Sequence, residues 1–143
     1  MLLGLYTNFL EKNNHLVLPD PFREAYAAGF YITPGFDRNI MVLTLQAFQV
    51  IYDRITSLNL ADPVARVLLR MILGSAHKAE VTPDGKIPIP DMLKTFASLG
   101  QEAIMVGQGD FIEIWSPEIW NRQTEQILNM DANHFSTLNI TTR

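Results

Sequence analysis

The sequence predicts an α+β fold in which two copies of one structural unit share a single core. The main observation is a repeat, because residues 16–23 recur 71 positions later as residues 87–94, with apolar, proline, aspartate and basic positions in the same order. Gly29 and Gly100 coincide at the same offset. Short apolar runs between turn residues, followed by segments with helix-capping residues, predict strands and helices within each copy.

Each copy is predicted to open with a tight turn and a short strand. Asn13-Asn14 form the turn in the first copy and Asp84-Gly85 form it in the second. These residue types tolerate the positive φ angles that a type I′ hairpin turn requires. The strands are expected over residues 16–18 and 87–89, where apolar residues follow the turns.

A short helix should follow each of these strands. Asp20 and Asp91 suit the N-terminal turn of such a helix, where a carboxylate is favoured. Gly29 and Gly100 suit the left-handed residue just past a helix C-terminus.

Two further strands and a second helix are predicted to complete each copy. Thr44 and Ser116 are suitable N-caps for the second helices, and Pro117 suits the first helical position. The strands are expected over residues 30–33 and 40–43 in the first copy, and over 103–106 and 111–115 in the second.

An extra helix is predicted between the copies, with Asp62 as its cap, Pro63 as its first residue and Gly74 as its stop. The chain therefore divides into a first unit over residues 1–60, a connecting helix over 61–75 and a second unit over 76–130. Residues 131–143 form a polar segment without an evident cap, which we expect to be frayed.

The composition is that of a globular domain, with 48% apolar and 18% charged residues among 143. No apolar stretch approaches the roughly 20 residues that cross a bilayer, and no basic segment or long apolar core follows Met1. The absence of cysteine excludes disulfides and thiolate metal sites. A cytoplasmic protein with no membrane association is therefore expected.

The charge pattern and the motifs give no support to an enzyme. The net charge is −4, and residues 76–143 carry all of it, since residues 1–75 hold six basic and six acidic side chains. The three histidines lie far apart, and no metal-binding, nucleophile-elbow or dinucleotide-binding spacing is present. We therefore expect no catalytic residues, no metal, no cofactor and no small-molecule ligand, and any site for an anionic polymer must be a local patch.

The repeated segments resemble the MraZ family of bacterial regulators of the division and cell-wall gene cluster, over roughly residues 1–128. The stretches that carry the resemblance are LVLPDPFRE (16–24), FYITPGFD (30–37), ARVLLR before GSA (65–76) and IMVGQGDFIEIW (104–115). The resemblance implies two tandem AbrB/SpoVT-like repeats, related by pseudo-two-fold symmetry in one compact domain. It also implies assembly into a ring and binding to repeated DNA sites upstream of the protein's own operon.

The family has a D-x-x-x-R loop in each repeat, whose arginine is implicated in DNA contact. Here the loops read Glu11-Lys-Asn-Asn-His15 and Thr82-Pro-Asp-Gly-Lys86, so His15 and Lys86 occupy the arginine positions. Lysine keeps the charge without the planar fork of arginine, and imidazole is mostly uncharged at pH 7. With the neighbouring Lys12, these residues are the candidate DNA contacts: Lys12, His15 and Lys86.

Two functional hypotheses remain open at this stage. The first is a sequence-specific, ring-forming transcriptional regulator that is cytoplasmic and associated with the nucleoid. The second is an MraZ-like structural or interaction oligomer that has lost DNA binding, as the altered loops allow. The apolar segments 1–5 and 67–73 are candidates for contacts between subunits or for simple burial.

Overall fold

A computed structural model of the chain describes residues 1–140. Its main feature is a six-stranded sheet in which every neighbouring pair is antiparallel, with the strand order β1-β7-β8-β4-β3-β5. A second, two-stranded antiparallel sheet pairs β2 with β6. The strands are β1 (Leu5–Phe9), β2 (His15–Val17), β3 (Phe30–Pro34), β4 (Ile40–Thr44), β5 (His77–Ala79), β6 (Lys86–Pro88), β7 (Glu102–Gly107) and β8 (Phe111–Trp115).

Helices of different lengths connect and cover these strands. The α-helices are α1 (Asp20–Arg23), α2 (Leu45–Thr56), α3 (Pro63–Ile72), α4 (Asp91–Phe96) and α5 (Pro117–Leu128), and 3-10 turns lie at Glu24–Tyr26 and Ala132–Leu138. The mixed α+β class predicted from the sequence is therefore confirmed. Within residues 1–140, no helix combines the length and apolar character needed to cross a membrane.

Strands from both halves of the chain are interleaved in the large sheet. The second-half strands β7 and β8 lie between the first-half strands β1 and β4, while β5 pairs with β3 at the far edge. The core beneath them joins side chains of both halves, among them Leu16, Phe30, Ile87 and Met105, none of which is accessible to solvent. Neither half can therefore bury its apolar surface without the other.

The predicted starts of the three long helices are confirmed. The Thr44 hydroxyl accepts the backbone N–H of Ala47 at 3.1 Å, and the Ser116 hydroxyl accepts that of Ile119 at 3.2 Å. The Asp62 carboxylate accepts the backbone N–H of Val64 at 2.9 Å. These contacts satisfy backbone donors that have no partner within their helices.

The predicted left-handed residue at Gly100 is wrong, whereas that at Gly29 is right, with a φ of 107°. Ser98 takes the left-handed conformation after α4, with a φ of 55°. The backbone N–H of Ser98 donates to the Thr95 carbonyl at 3.1 Å, and that of Leu99 donates to the Lys94 carbonyl at 2.9 Å. This Schellman arrangement terminates α4 with Ser98 as the left-handed residue, so that no special conformation is needed at Gly100.

The type I′ turns are also a wrong prediction, because only the second residue of each turn has a positive φ: 60° at Asn14 and 81° at Gly85. Strand β1 was not predicted at all. Its apolar residues Leu5 and Phe9 face outward, while Tyr6 and Asn8 face the protein, which reverses the usual alternation.

The polar segment after residue 130 is capped, contrary to the sequence-based expectation. The Asp131 carboxylate accepts the backbone N–H of Asn133, and the His134 ring accepts the backbone N–H of Asp131, which together form a capping box. A 3-10 helix follows over Ala132–Leu138. Residues 141–143 lie outside the described part, so the expectation of fraying is not tested there.

Candidate nucleic-acid interface

The short antiparallel ladder between β2 and β6 joins the strands that follow the two predicted DNA-contact loops, with one loop at each end of the ladder. Leu16 lies opposite Ile87 at its centre, and both side chains are fully buried. Two hydrogen bonds beyond the strands extend the pairing symmetrically, since the backbone N–H of Leu18 donates to the Gly85 carbonyl and that of Ile89 donates to the Asn14 carbonyl, both at 2.9 Å. Each loop is thus attached to the strand that follows the other loop.

The two loops share a backbone geometry although their sequences differ. In the first loop, the backbone N–H of Glu11 donates to the His15 carbonyl at 2.9 Å, and that of Asn14 donates to the Glu11 carbonyl at 2.9 Å. In the second loop, the backbone N–H of Thr82 donates to the Lys86 carbonyl at 2.8 Å, and that of Gly85 donates to the Thr82 carbonyl at 2.9 Å. The positions that align with the family's D-x-x-x-R motif therefore begin and end equivalent hydrogen-bonded turns.

Lys86 lies in an ion-pair network that links the two loops. Its Nζ atom is 2.6 Å from Oε1 of Glu11, 2.9 Å from Oε2 of Glu11 and 3.1 Å from Oδ2 of Asp84. The hydroxyl of Thr82 donates to the other Asp84 oxygen at 2.6 Å. The Lys86 side chain is only 28% exposed, so the cation that the sequence assigns to DNA is held by carboxylates in the free protein.

This network changes the pKa values of two of its members. The hydrogen bonds to Glu11 and then to Asp84 raise the pKa of Lys86 above its ordinary value. The hydrogen bonds from Thr82 and then from Lys86 lower the pKa of Asp84. The network therefore stabilises the folded loops between the ordinary aspartate and lysine ranges, and that stabilisation falls as Asp84 is protonated at low pH or Lys86 is deprotonated at high pH.

The other two predicted contacts lie in the first loop. Nδ1 of His15 is 3.0 Å from the carbonyl oxygen of Asn13, so the neutral ring donates from Nδ1 and leaves Nε2 to accept a proton. His15 is half-buried, while Lys12 is exposed and takes part in no salt bridge within residues 1–140. The structure thus brings His15 and Lys86 onto paired strands, with Lys12 beside them in the chain.

Two cations that the sequence analysis did not assign to the site also contact the loops. Nζ of Lys94 donates to the Asn14 side chain at 3.2 Å, and the guanidinium of Arg23 lies against Gly85. Nε of Arg23 donates to the Leu18 carbonyl at 3.1 Å. Arg23 and Lys94 occupy equivalent positions of the two copies, 71 residues apart, so the repeat could have identified both as candidates.

The charges around the loops nearly cancel in the free protein. Four cations are matched in number by four carboxylates. Glu11 and Asp84 pair with Lys86, and Asp20 lies 3.2 Å from Arg23. The Asp91 carboxylate accepts the Asn14 side-chain amide at 2.6 Å. The cations are Lys12, Arg23, Lys86 and Lys94. A polyanion approaching this face would therefore have to rearrange ion pairs rather than meet a preformed basic patch.

The described part of the chain shows no alternative site with clear chemistry. Across residues 1–140, no group of His, Asp and Glu side chains is arranged to hold a metal ion. A broad groove is lined by residues such as Met1, Ala25, Gly29 and Val50, which offer no cluster of catalytic groups. The paired loops are thus the candidate functional site.

Comparison with known proteins connects both halves of this chain to one family. The family profile described as "MraZ protein, putative antitoxin-like" matches residues 72–139. A protein of Thermomicrobium roseum named Transcriptional regulator MraZ is 36% identical over 125 residues, covering 87% of this chain and 88% of that protein. Proteins of the same name are 30% identical in Clostridium acetobutylicum (92% and 93% covered) and in Caldanaerobacter subterraneus subsp. tengcongensis (98% and 100% covered).

Gly85→Ala tests whether the backbone geometry of the second loop contributes to stability. The positive φ of 81° and a β-carbon that would lie 2.5 Å from the Arg23 guanidinium both disfavour a side chain there. Because the end of Arg23 can move, backbone strain should dominate, at a cost of about 1–2 kcal/mol in free energy of unfolding. Urea denaturation measures that cost. Gly100→Ala is the matched control, since no atom lies within 4 Å of its β-carbon, and equal destabilisation by both changes would contradict the prediction.

Proposed function

The chain belongs to the MraZ family of transcriptional regulators, and from that premise we propose that it binds specific, repeated DNA sites upstream of its own operon. One hairpin loop from each half makes the contacts. The observation that carries the proposal is the β2–β6 ladder, which joins the strands that follow the two cation-bearing loops and places one loop at each of its ends. Relatives are named as regulators and not as enzymes, and we assign this chain no catalytic role, cofactor or small-molecule ligand.

We further propose that the two halves are tandem AbrB-like repeats with pseudo-two-fold symmetry, in one domain. Residues 1–60 and 76–130 are the repeats, residues 61–75 form the connecting helix and 131–143 the C-terminal segment. The matched bonds of Leu18 to Gly85 and Ile89 to Asn14 support this assignment, as does the recurrence of the strand, helix, strand, strand, helix order.

The DNA contacts in this proposal are Lys12, His15 and Lys86, with Arg23 and Lys94 as neighbouring cations. Phosphate neutralisation by lysine and arginine supplies most of the sequence-independent affinity for DNA. The near-neutral charge of this face predicts weak binding by a single chain. A ring that presents many such loops to a repeated site would raise the effective concentration and compensate.

The exposed apolar surface supports assembly with further copies. Phe9 on β1 is 68% exposed and Val64 on α3 is 74% exposed, with Leu3, Leu5 and Val67 also accessible. The two apolar segments predicted from the sequence, 1–5 and 67–73, are each partly buried and partly exposed. Leu2 and Ile72 are buried, whereas Leu3 and Val67 are exposed. A ring-forming oligomer would cover such side chains, and DNA binding would place it at the nucleoid of the cytoplasm.

The second candidate function is a structural or interaction oligomer that has lost DNA binding. The observation that favours it is the occupation of Lys86 by Glu11 and Asp84, combined with the absence of arginine from both loop ends. When the chain is titrated against the upstream DNA, the first candidate predicts specific binding and the second predicts none.

The oligomer is tested by light scattering over a range of dilutions. We expect a mass that is a multiple of the 16.2 kDa chain, because large apolar side chains remain exposed on β1 and α3. Phe9→Glu and Val64→Glu, at exposed positions that the fold does not require, identify which surface is used. A 16.2 kDa species at every concentration rejects the oligomer.

Lys86→Ala tests the DNA contact in gel-shift titrations with DNA from upstream of the protein's own gene. Binding should weaken, and the dependence of log K on log salt should become shallower by about one unit for each phosphate that an engaged loop no longer neutralises. Arg54→Ala, which removes one positive charge from α2, is the control and should leave that slope unchanged. Tight binding by wild type that Lys86→Ala leaves intact would refute the loop assignment.

His15 is tested by exchange for arginine, the residue that the family has at this position. His15→Arg should bind the upstream DNA more tightly, because arginine is permanently charged and can donate two parallel N–H groups to a phosphate. Gel-shift titration against wild type measures the change. His77→Arg, which adds the same charge on β5, is the control and should change affinity less, and equal tightening by both changes would contradict the role of His15.

A further inference from the structure

The ammonium group of Lys86 is surrounded by carboxylate oxygens in the free protein. Three of them lie within 3.1 Å of Nζ, two from Glu11 and one from Asp84. A lysine ammonium carries three N–H donors and no acceptor. An incoming phosphate oxygen would therefore compete with these carboxylates for the donors of Lys86.

Glu11 is the carboxylate whose position is not explained by the shape of its own loop. Its backbone N–H already donates to the His15 carbonyl at 2.9 Å, and this bond does not involve the side chain. Asp84 differs, because its carboxylate also accepts the Thr82 hydroxyl at 2.6 Å within the same turn. Within residues 1–140, Lys86 is the one cation paired with Glu11, and it lies 75 residues away in the other half.

From these contacts we infer that Glu11 is an affinity-limiting residue, whose carboxylate occupies Lys86 as an internal substitute for DNA phosphate. The inference rests on the proposed DNA binding and specifies how that site is regulated. Displacement carries two costs, because Lys86 loses its partner and the carboxylate is left beside a phosphate of the same charge.

The consequence is selection for DNA that engages many loops at once. A single loop gains little, since its phosphate contact replaces an existing ion pair. Several loops on one assembly share a single loss of translational freedom, so small gains per loop add along a repeated site. Because the Glu11 cost applies at every engaged loop, DNA that engages only one or two loops stays weakly bound, and stable binding requires a repeated site.

Glu11→Gln removes the charge while it keeps the length of the side chain and one acceptor. Partly exposed ion pairs contribute modestly, so we expect the DNA dissociation constant to fall about two- to fivefold per engaged loop. Glu125→Gln on α5 changes the net charge equally, and its side chain forms no salt bridge within the described residues. The control should produce a smaller change. Glu11→Ala, which retains the backbone hydrogen bond, provides a second variant in case the glutamine chain folds poorly.

A double-mutant cycle separates the ion pair from general repulsion. In a Lys86→Ala background, Glu11→Gln should improve binding by a smaller factor than it does in the wild-type background, because the ion pair is already gone and only repulsion from phosphate is relieved. Equal improvement in both backgrounds would overturn the inference, as would wild-type affinity in Glu11→Gln and Glu11→Ala. If wild type binds and these variants do not bind more tightly, only the inference fails. If neither wild type nor any Glu11 variant binds the upstream DNA, the proposed DNA binding fails together with it.

Discussion

The contact between Leu16 and Ile87 across the β2–β6 ladder is the constraint on which the candidate site depends. Both side chains are fully buried, and burial of a residue of this size contributes about 1.5–3 kcal/mol. The ladder has only three residues in each strand, too few for an isolated pair to be stable in water. Its stability therefore comes from the core shared with the large sheet, and the two loops acquire their relative position from that core.

Local features of the fold could be predicted from the sequence, and long-range ones could not. Caps such as Thr44, Ser116 and Asp62 act on amides two or three residues away, so their side-chain chemistry is sufficient. Strand β1 was missed because its outward face carries Leu5 and Phe9, and its partner β7 lies at the other end of the chain. The repeat identified both loops, but it could not predict the ion pair between Glu11 and Lys86, because these residues are 75 positions apart and only the tertiary structure brings them into contact.

The same geometry explains why an acidic chain can belong to a family of transcriptional regulators. Arg23 and Lys86 near the loops are paired with carboxylates, and the carboxylates around the loops keep the local charge close to zero although the cations are present. Main-chain hydrogen bonds close both turns and do not involve these charged side chains. In the proposed exchange of a carboxylate for phosphate, the backbone geometry of the turns would therefore not depend on which anion pairs with Lys86.

The interleaved strand order also affects how the molecule can be made. Strand β1 pairs with β7, and β4 pairs with β8. Strands that are synthesised early therefore cannot form these pairs until residues above 100 have been synthesised. Such distant pairings are slow to form because a long loop must close before the paired strands can stabilise each other. During synthesis, β3 and β4 can pair with each other, but β1 and the second edge of β4 must remain without their sheet partners. The large sheet is therefore expected to form only after residues 102–115 have emerged, and β1 stays exposed to chaperones until then.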